Sequence, residues 1–169
     1  DTGSRGLGDV YKRQLLDTEK KNLQVFGYGI KGFVLSMIET SIQLTKGEIS
    51  GNEIEQIMDF GREMLTAPIQ LLEHVEDTLQ QLQNNYILLL ITKGDLIDQE
   101  TKIARSGLSD YFNSIEIISE KNVPAYQKIL DKHQIQPERF LMVGNSIRSD
   151  ILPVLEMGGA AVYIPYDID

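Results

Sequence analysis

The chain has 169 residues, 41% of them hydrophobic, enough for one packed domain or one domain plus a small accessory bundle, so wholesale disorder is excluded. Cysteine is absent and histidine occurs twice, which rules out a disulfide scaffold or thiol nucleophile and argues against a His-rich metal centre. A formal charge of −9 argues against nucleic acid and anionic membrane as partners, and no apolar run approaches the roughly 20 residues that span a bilayer.

The opening stretch 1–14, DTGSRGLGDVYKRQ, is polar, glycine-rich and basic, with neither a helical nor a strand period. It reads as a disordered leader. SRGLGDVYKRQ also resembles a translated sequencing-adapter peptide of the kind fused to open reading frames in metagenomic assemblies. Residues 1–14 are therefore set apart from the fold, with native sequence expected upstream of about Leu15.

From Leu15 to about Leu65 the pattern is helical, and residues 15–67 read as a helical bundle. Phe33, Met37, Ile38, Ser41 and Ile42 recur at three- and four-residue steps, and Lys46-Gly47 ends that run. Ser50-Gly51-Asn52 starts a second helix, with Ile54, Ile57, Met58 and Met64-Leu65 on one face. Pro68 is expected to open a further helix carrying Leu71, Leu72, Val75, Leu79 and Leu82.

After Asn84-Asn85 the pattern changes. Tyr86 to Ile91, Ile115 to Ile118, Phe140 to Val143 and Ala160 to Ile164 are short apolar runs that predict strands buried on both faces. Between them, Ile97 to Arg105, Pro124 to His133 and Ile147 to Met157 predict helices. Strand and helix alternate, so residues 68–169 predict an open, parallel, Rossmann-like α/β sheet with right-handed crossovers.

Ligands of open α/β sheets sit beyond the carboxyl ends of the strands. Those positions hold Thr92-Lys93-Gly94-Asp95, then Ser119-Glu120-Lys121, then Gly144-Asn145-Ser146 with Asp150, and last Pro165-Tyr166-Asp167. Thr92 offers a hydroxyl, and Gly94 allows backbone approach at a helix N-terminus, a seat for a phosphate oxygen. Lys121 offers a fixed positive charge, and Lys93 could add to it. Asp150 and Asn145 offer hard oxygen donors for Mg²⁺. An anion pocket beside a divalent ion is apparatus for phosphoryl transfer. Taken singly, Thr92 or Asp95 would merely cap a helix, Lys121 would be a solvated loop residue, and Asp150 a first-turn acid.

The order of these motifs resembles the haloacid dehalogenase (HAD)-like hydrolase superfamily. ILLLITKGD is similar to its second motif, with Thr92; SEKNVPAYQKIL to its third, with Lys121; FLMVGNSIRSDILPVLEMGG to its fourth, with Asn145 and Asp150. The resemblance covers about residues 68 to 166, and the preceding helices are similar to the family's helical cap. It implies a Mg²⁺-dependent phosphohydrolase acting on a small phosphorylated metabolite in the cytoplasm. Thr92, Lys93, Gly94 and Lys121 would hold phosphate, Thr92 and Lys121 would act in catalysis, and Asp150 with Asn145 would hold the metal.

The sequence departs from the family in two places. Asn145 stands where many members carry Asp, which removes a charge from the metal site. The first motif, a strand ending in Asp-x-Asp that supplies the nucleophile and the general acid/base, is absent ahead of Leu15; Asp17 is alone, and Asp1 and Asp9 lie in the leader. In this family that strand lies in mid-sheet, so two strands are expected to lose a partner and the chain to be inactive and unstable.

Two other readings compete. One is a non-catalytic phosphate- or Mg²⁺-binding regulatory module on the same fold. The other is a dinucleotide-dependent oxidoreductase using Gly27, Gly29 and Gly32 of a literal G-x-G-x-x-G, with Leu23 to Phe26 as its strand; close helix packing in the cap is the plainer reading of those glycines. Lys128 is the rival to Lys121 but falls on a predicted helix face. His74 and His133 are expected to face solvent, as are Glu73, Glu76, Asp77 and Arg148.

Overall fold

The computed structural model describes residues 2–166, with side chains from residue 8. Asp1 and Asp167, named above, lie outside the described residues. The fold is α/β, with parallel strands and a helical region. Two compact units divide the chain: one contains the residues up to Leu88 together with Gly94–Asn113, the other Leu89–Lys93 with the chain from Ser114 on.

The first unit is helical: α1 Thr2–Phe26, α2 Ile30–Leu44, α3 Gly51–Thr66, α4 Val75–Leu82 and α5 Leu96–Ser106. Helix α1 runs back to Thr2, through the stretch read as disordered. Extending an existing helix adds a hydrogen bond per residue without a new nucleus, so a glycine-rich run can follow a stable neighbour. The buried row of α2 is Gly32, Ser36 and Thr40, not the apolar row picked out by spacing. It faces Thr18 and Asn22, also buried, and Asn22 Nδ2 donates to Ser36 Oγ at 3.2 Å and to Glu39 Oε2 at 2.7 Å. Small residues allow close approach here; the Thr18 and Ser36 hydroxyls donate to carbonyls one turn back in their own helices, while the buried Thr40 hydroxyl has no hydrogen-bond partner among the described residues. On the neighbouring seam, Gly61 of α3 packs on Val34, which a Cβ would strike.

Ser50 caps α3 in a reciprocal capping box with Glu53, as Ser50-Gly51-Asn52 predicts. The helix expected from Pro68 is shorter than the sequence reading. Ala67, ahead of Pro68, is extended at φ −54°, ψ 141°, since the proline ring disfavours the helical region for its predecessor. Pro68 thus ends one helix rather than starting another, and α4 begins only at Val75, after His74 at φ +66°. The Arg105 guanidinium of α5 donates to the carbonyls of Leu65, Thr66 and Ala67, satisfying the open end of α3.

The second unit carries β1 Leu89–Lys93, β2 Ser114–Ile118, α6 Val123–His133, β3 Leu141–Gly144, a π-helical turn Ile147–Ile151, α7 Leu152–Glu156 and β4 Ala160–Tyr163. The strands form two parallel pairs, β1 with β2 and β3 with β4, rather than one continuous sheet. Among the described residues no strand joins the pairs through backbone hydrogen bonds. They share one core instead: Ile91 from β1 and Met142 from β3, with Tyr126, Ile129 and Leu130 of α6, Phe140, and Val154 of α7.

Burial on both faces does not hold. Met142 is buried while its neighbours Leu141 and Val143 are 56% and 51% exposed, so β3 is covered on one face only. Tyr86 and Ile87, expected in the first strand, precede β1 and are exposed.

Glu116, at the centre of β2, is buried and accepts from Ser114 Oγ, Lys132 Nζ and His133 Nε2, the last at 2.7 Å. His133 is therefore drawn inward, contrary to its solvent-facing expectation. A single acid inside the apolar run Ile115–Ile118 supplies the attraction that the run concealed. Burial opposes the Glu116 charge, but hydrogen bonds from Lys132, His133 and Ser114 outweigh it and hold the carboxyl below its usual range.

Glu116→Gln is expected to lower stability by about 1–2 kcal/mol at neutral pH and to flatten the acid limb of the stability profile. A lowered carboxyl contributes stability above its ordinary value of 4.5, lost as pH falls through the folded value. Thermal melts of both proteins from neutral to acid pH check this; parallel curves would show that Glu116 carries none of the acid response.

Candidate active site

Residues at the carboxyl ends of the strands are positioned by the two pairs. Thr92 and Lys93 close β1, opposite Ile117 and Ile118 of β2. Both are half-buried. Lys121 follows β2 in the loop before α6, whose first turn is fixed by Asn122 accepting from the Ala125 amide at 3.0 Å. Pro124 suits that first turn because its missing N–H has no helical partner to lose.

The loop after β3 carries Asn145, exposed, and leads into the π-helical turn that presents Asp150. Ser146 caps this turn, its hydroxyl accepting from the Ser149 amide at 3.2 Å. Asp150 folds back over the strand end. Its Oδ2 accepts from the Ser146 amide at 3.0 Å, and a Cβ on Gly144 would overlap its carboxylate. Glycine is required at 144 for room.

Of the six predicted site residues, Lys121 and Asp150 are in direct contact. Lys121 Nζ donates to Asp150 Oδ1 at 2.6 Å, with side chains 13% and 4% exposed. The pair joins the carboxyl end of β2 to that of β3 and so links the two strand pairs through a charge contact. The rival Lys128 lies exposed along α6. Arg148 is exposed, as expected.

Gly94 takes a different role from the one read from sequence. It belongs with the helical unit. Its φ is +150°, and a Cβ there would lie 2.9 Å from Gln99 Nε2, so glycine is demanded by backbone and space alike. The α5 N-terminus is occupied by Asp95, whose carboxylate accepts from the Asp98 amide at 3.1 Å and from Lys31 Nζ at 2.9 Å. Lys31 first, then that amide, hold the Asp95 carboxyl below its usual range. The protein's own acid thus takes the anion seat expected beside Gly94.

The glycines of the G-x-G-x-x-G match follow a helix, because Leu23 to Phe26 end α1. Gly27 at φ +73° and Gly29 at φ +119° turn the chain between α1 and α2, and a Cβ on Gly32 would lie 2.8 Å from the Gly27 carbonyl oxygen. The strand that a dinucleotide site needs is missing, so the oxidoreductase reading falls.

Three residues of the site went unassigned in the sequence. Gly144 and Ser146 shape the seat of Asp150. Tyr126 of α6 is fully buried, and its hydroxyl donates to the Ser149 carbonyl at 2.9 Å. Burial, then the charge of the nearby Asp150 carboxylate, push the Tyr126 phenol well above its ordinary range. The aromatic one turn into a helix led by Asn-x-Pro reads as core, which it also is.

Asp150 and Asn145 present one carboxylate and one amide oxygen. That donor set fits Mg²⁺, which takes few protein ligands and keeps several waters. Among the described residues no group of three or more acids and histidines is placed to hold a metal. No helix among them is long and apolar enough to cross a membrane.

The family model for haloacid dehalogenase-like hydrolases matches residues 5–158. The chain belongs to that family. A HAD-like family hydrolase from Xanthomonas campestris superposes with a TM-score of 0.87 at 47% identity, covering 90% of this chain and 65% of that one. A glyceraldehyde 3-phosphate phosphatase of Pyrococcus furiosus is 29% identical over 93 residues, 52% of this chain and 39% of its own length. A phosphoglycolate phosphatase of Vibrio vulnificus is 31% identical over 100 residues, 54% of this chain and 42% of its own. The chain thus spans about two fifths of the curated relatives it matches.

In this HAD-like chain, Asp150→Ala is expected to cost about 3–5 kcal/mol, because it leaves the Lys121 ammonium buried without its counter-charge. Adding Lys121→Met should recover much of that loss. Urea denaturation of both variants checks this, and equal losses would show that the stranded ammonium is not what destabilises Asp150→Ala.

Proposed function

We propose that the chain carries the phosphate-holding and metal-positioning half of a phosphohydrolase that cleaves small phosphate monoesters through an aspartyl-phosphate. The observation that supports it is the buried Lys121–Asp150 pair at the carboxyl ends of parallel strands, in a member of a hydrolase family whose matched relatives include two named phosphatases. Lys121 would balance charge on the transferring group, and Thr92 and Lys93 at the end of β1 would bind phosphoryl oxygens. Asp150 and Asn145 would hold Mg²⁺, which when bound polarises a phosphoryl oxygen. The family assigns the nucleophile and acid/base to an Asp-x-Asp pair that does not precede the first strand here, so the chain alone is expected to bind phosphate without turnover. A cytoplasmic protein with neither nucleic-acid nor membrane partners fits the acidic composition.

The test is calorimetric titration of the chain with inorganic phosphate in MgCl₂. Binding is expected, and Lys121→Met should weaken it at least about tenfold. p-Nitrophenyl phosphate should not be hydrolysed. Phosphate binding indifferent to Lys121→Met would remove this assignment.

A further inference from the structure

The π-helical turn Ile147–Ile151 runs with amides donating five residues back, Ile151 to the Ser146 carbonyl at 3.3 Å and Leu152 to that of Ile147. The α-helical donor to its Ser149 carbonyl would be residue 153, a proline with no N–H, so that register is closed to it. A donor reaches it from outside the turn: the Tyr126 hydroxyl of α6, at 2.9 Å. The phenol is fully buried, its ring packed 6.2 Å from that of Phe140. The same helix is led by Lys121, and the same turn carries Asp150, the two ends of the 2.6 Å ion pair.

We infer that Tyr126 is a positioning residue, its hydroxyl bracing the Asp150 turn against α6 so that Asp150 and Lys121 are held in register. It touches neither phosphate nor metal in this role. It acts through the Ser149 carbonyl on the adjacent Asp150, as outer hydrogen bonds commonly orient a ligating carboxylate. The inference rests on the metal-positioning reading above. A phenylalanine would fill the same space and leave the carbonyl without its outside donor, so the hydroxyl and not the ring carries the proposal.

The experiment compares the full chain with Tyr126→Phe and with Ile129→Val, a volume change in the same helix. Two readouts are taken: the dissociation constant for MgCl₂ alone by calorimetry, and amide exchange over residues 146–152 by mass spectrometry. Tyr126→Phe is expected to weaken Mg²⁺ binding about tenfold and to speed exchange in 146–152, whereas Ile129→Val lowers Tm and moves neither. Unchanged exchange in Tyr126→Phe would overturn the brace. Faster exchange with unchanged Mg²⁺ affinity would overturn the positioning role and leave Tyr126 as packing. A wild-type chain that binds no Mg²⁺ would fail the metal reading instead, and exchange confined to 146–152 would then decide the brace by itself.

Discussion

Lys121 and Asp150 lie 29 residues apart in sequence and 2.6 Å apart in space. Each sits at the end of a different strand pair, and no backbone hydrogen bonds among the described residues join those pairs into one sheet. Their union therefore rests on side chains, among them the apolar cluster around Leu130 and Tyr126 and this charge contact at the strand ends. A buried ion pair is an uncertain source of net stability, since desolvation offsets the attraction. Its geometric effect is firmer. With one oxygen on Lys121 and the other on the Ser146 amide, the Asp150 carboxylate is held at both oxygens.

The second unit was largely legible in the sequence because its signals are local. Apolar runs bounded by turns mark all four strands to within a few residues, and Pro124 and Gly144 punctuate them where they should. What was hidden depends on partners distant in sequence. Glu116 looks like an interruption of an apolar run until Lys132 and His133 are seen reaching it. Tyr126 looks like core until its hydroxyl is seen donating to the Ser149 carbonyl. The pairing of strands in twos could be expected only through the family resemblance, since nothing in an apolar run states how many neighbours it has.

The helical unit was harder to read, for a physical reason. Hydrophobic spacing assumes that the buried face is the apolar one. In α2 the buried row is Gly32, Ser36 and Thr40, and its contacts with α1 are made by small and polar groups. Such a seam leaves larger apolar residues at its margins, where Phe33, Met37 and Ile38 are half-buried. Likewise Asp95 read from sequence only as a helix cap. It caps α5 through the Asp98 amide, and Lys31, sixty-four positions away, joins it there, a partner no local signal announces.

The parallel registers carry a kinetic consequence. Leu89 meets Ser114, and Leu141 meets Ala160, so neither pair can form as a hairpin. Each strand must wait for an intervening segment to be ordered before its partner arrives, and the entropy of closing those loops is spent before the ladder returns it. Helices α2 and α3, joined by a short turn, face no such delay. The chain should accordingly assemble at two speeds, with the Lys121–Asp150 contact, which needs both strand pairs in place, among the last to close.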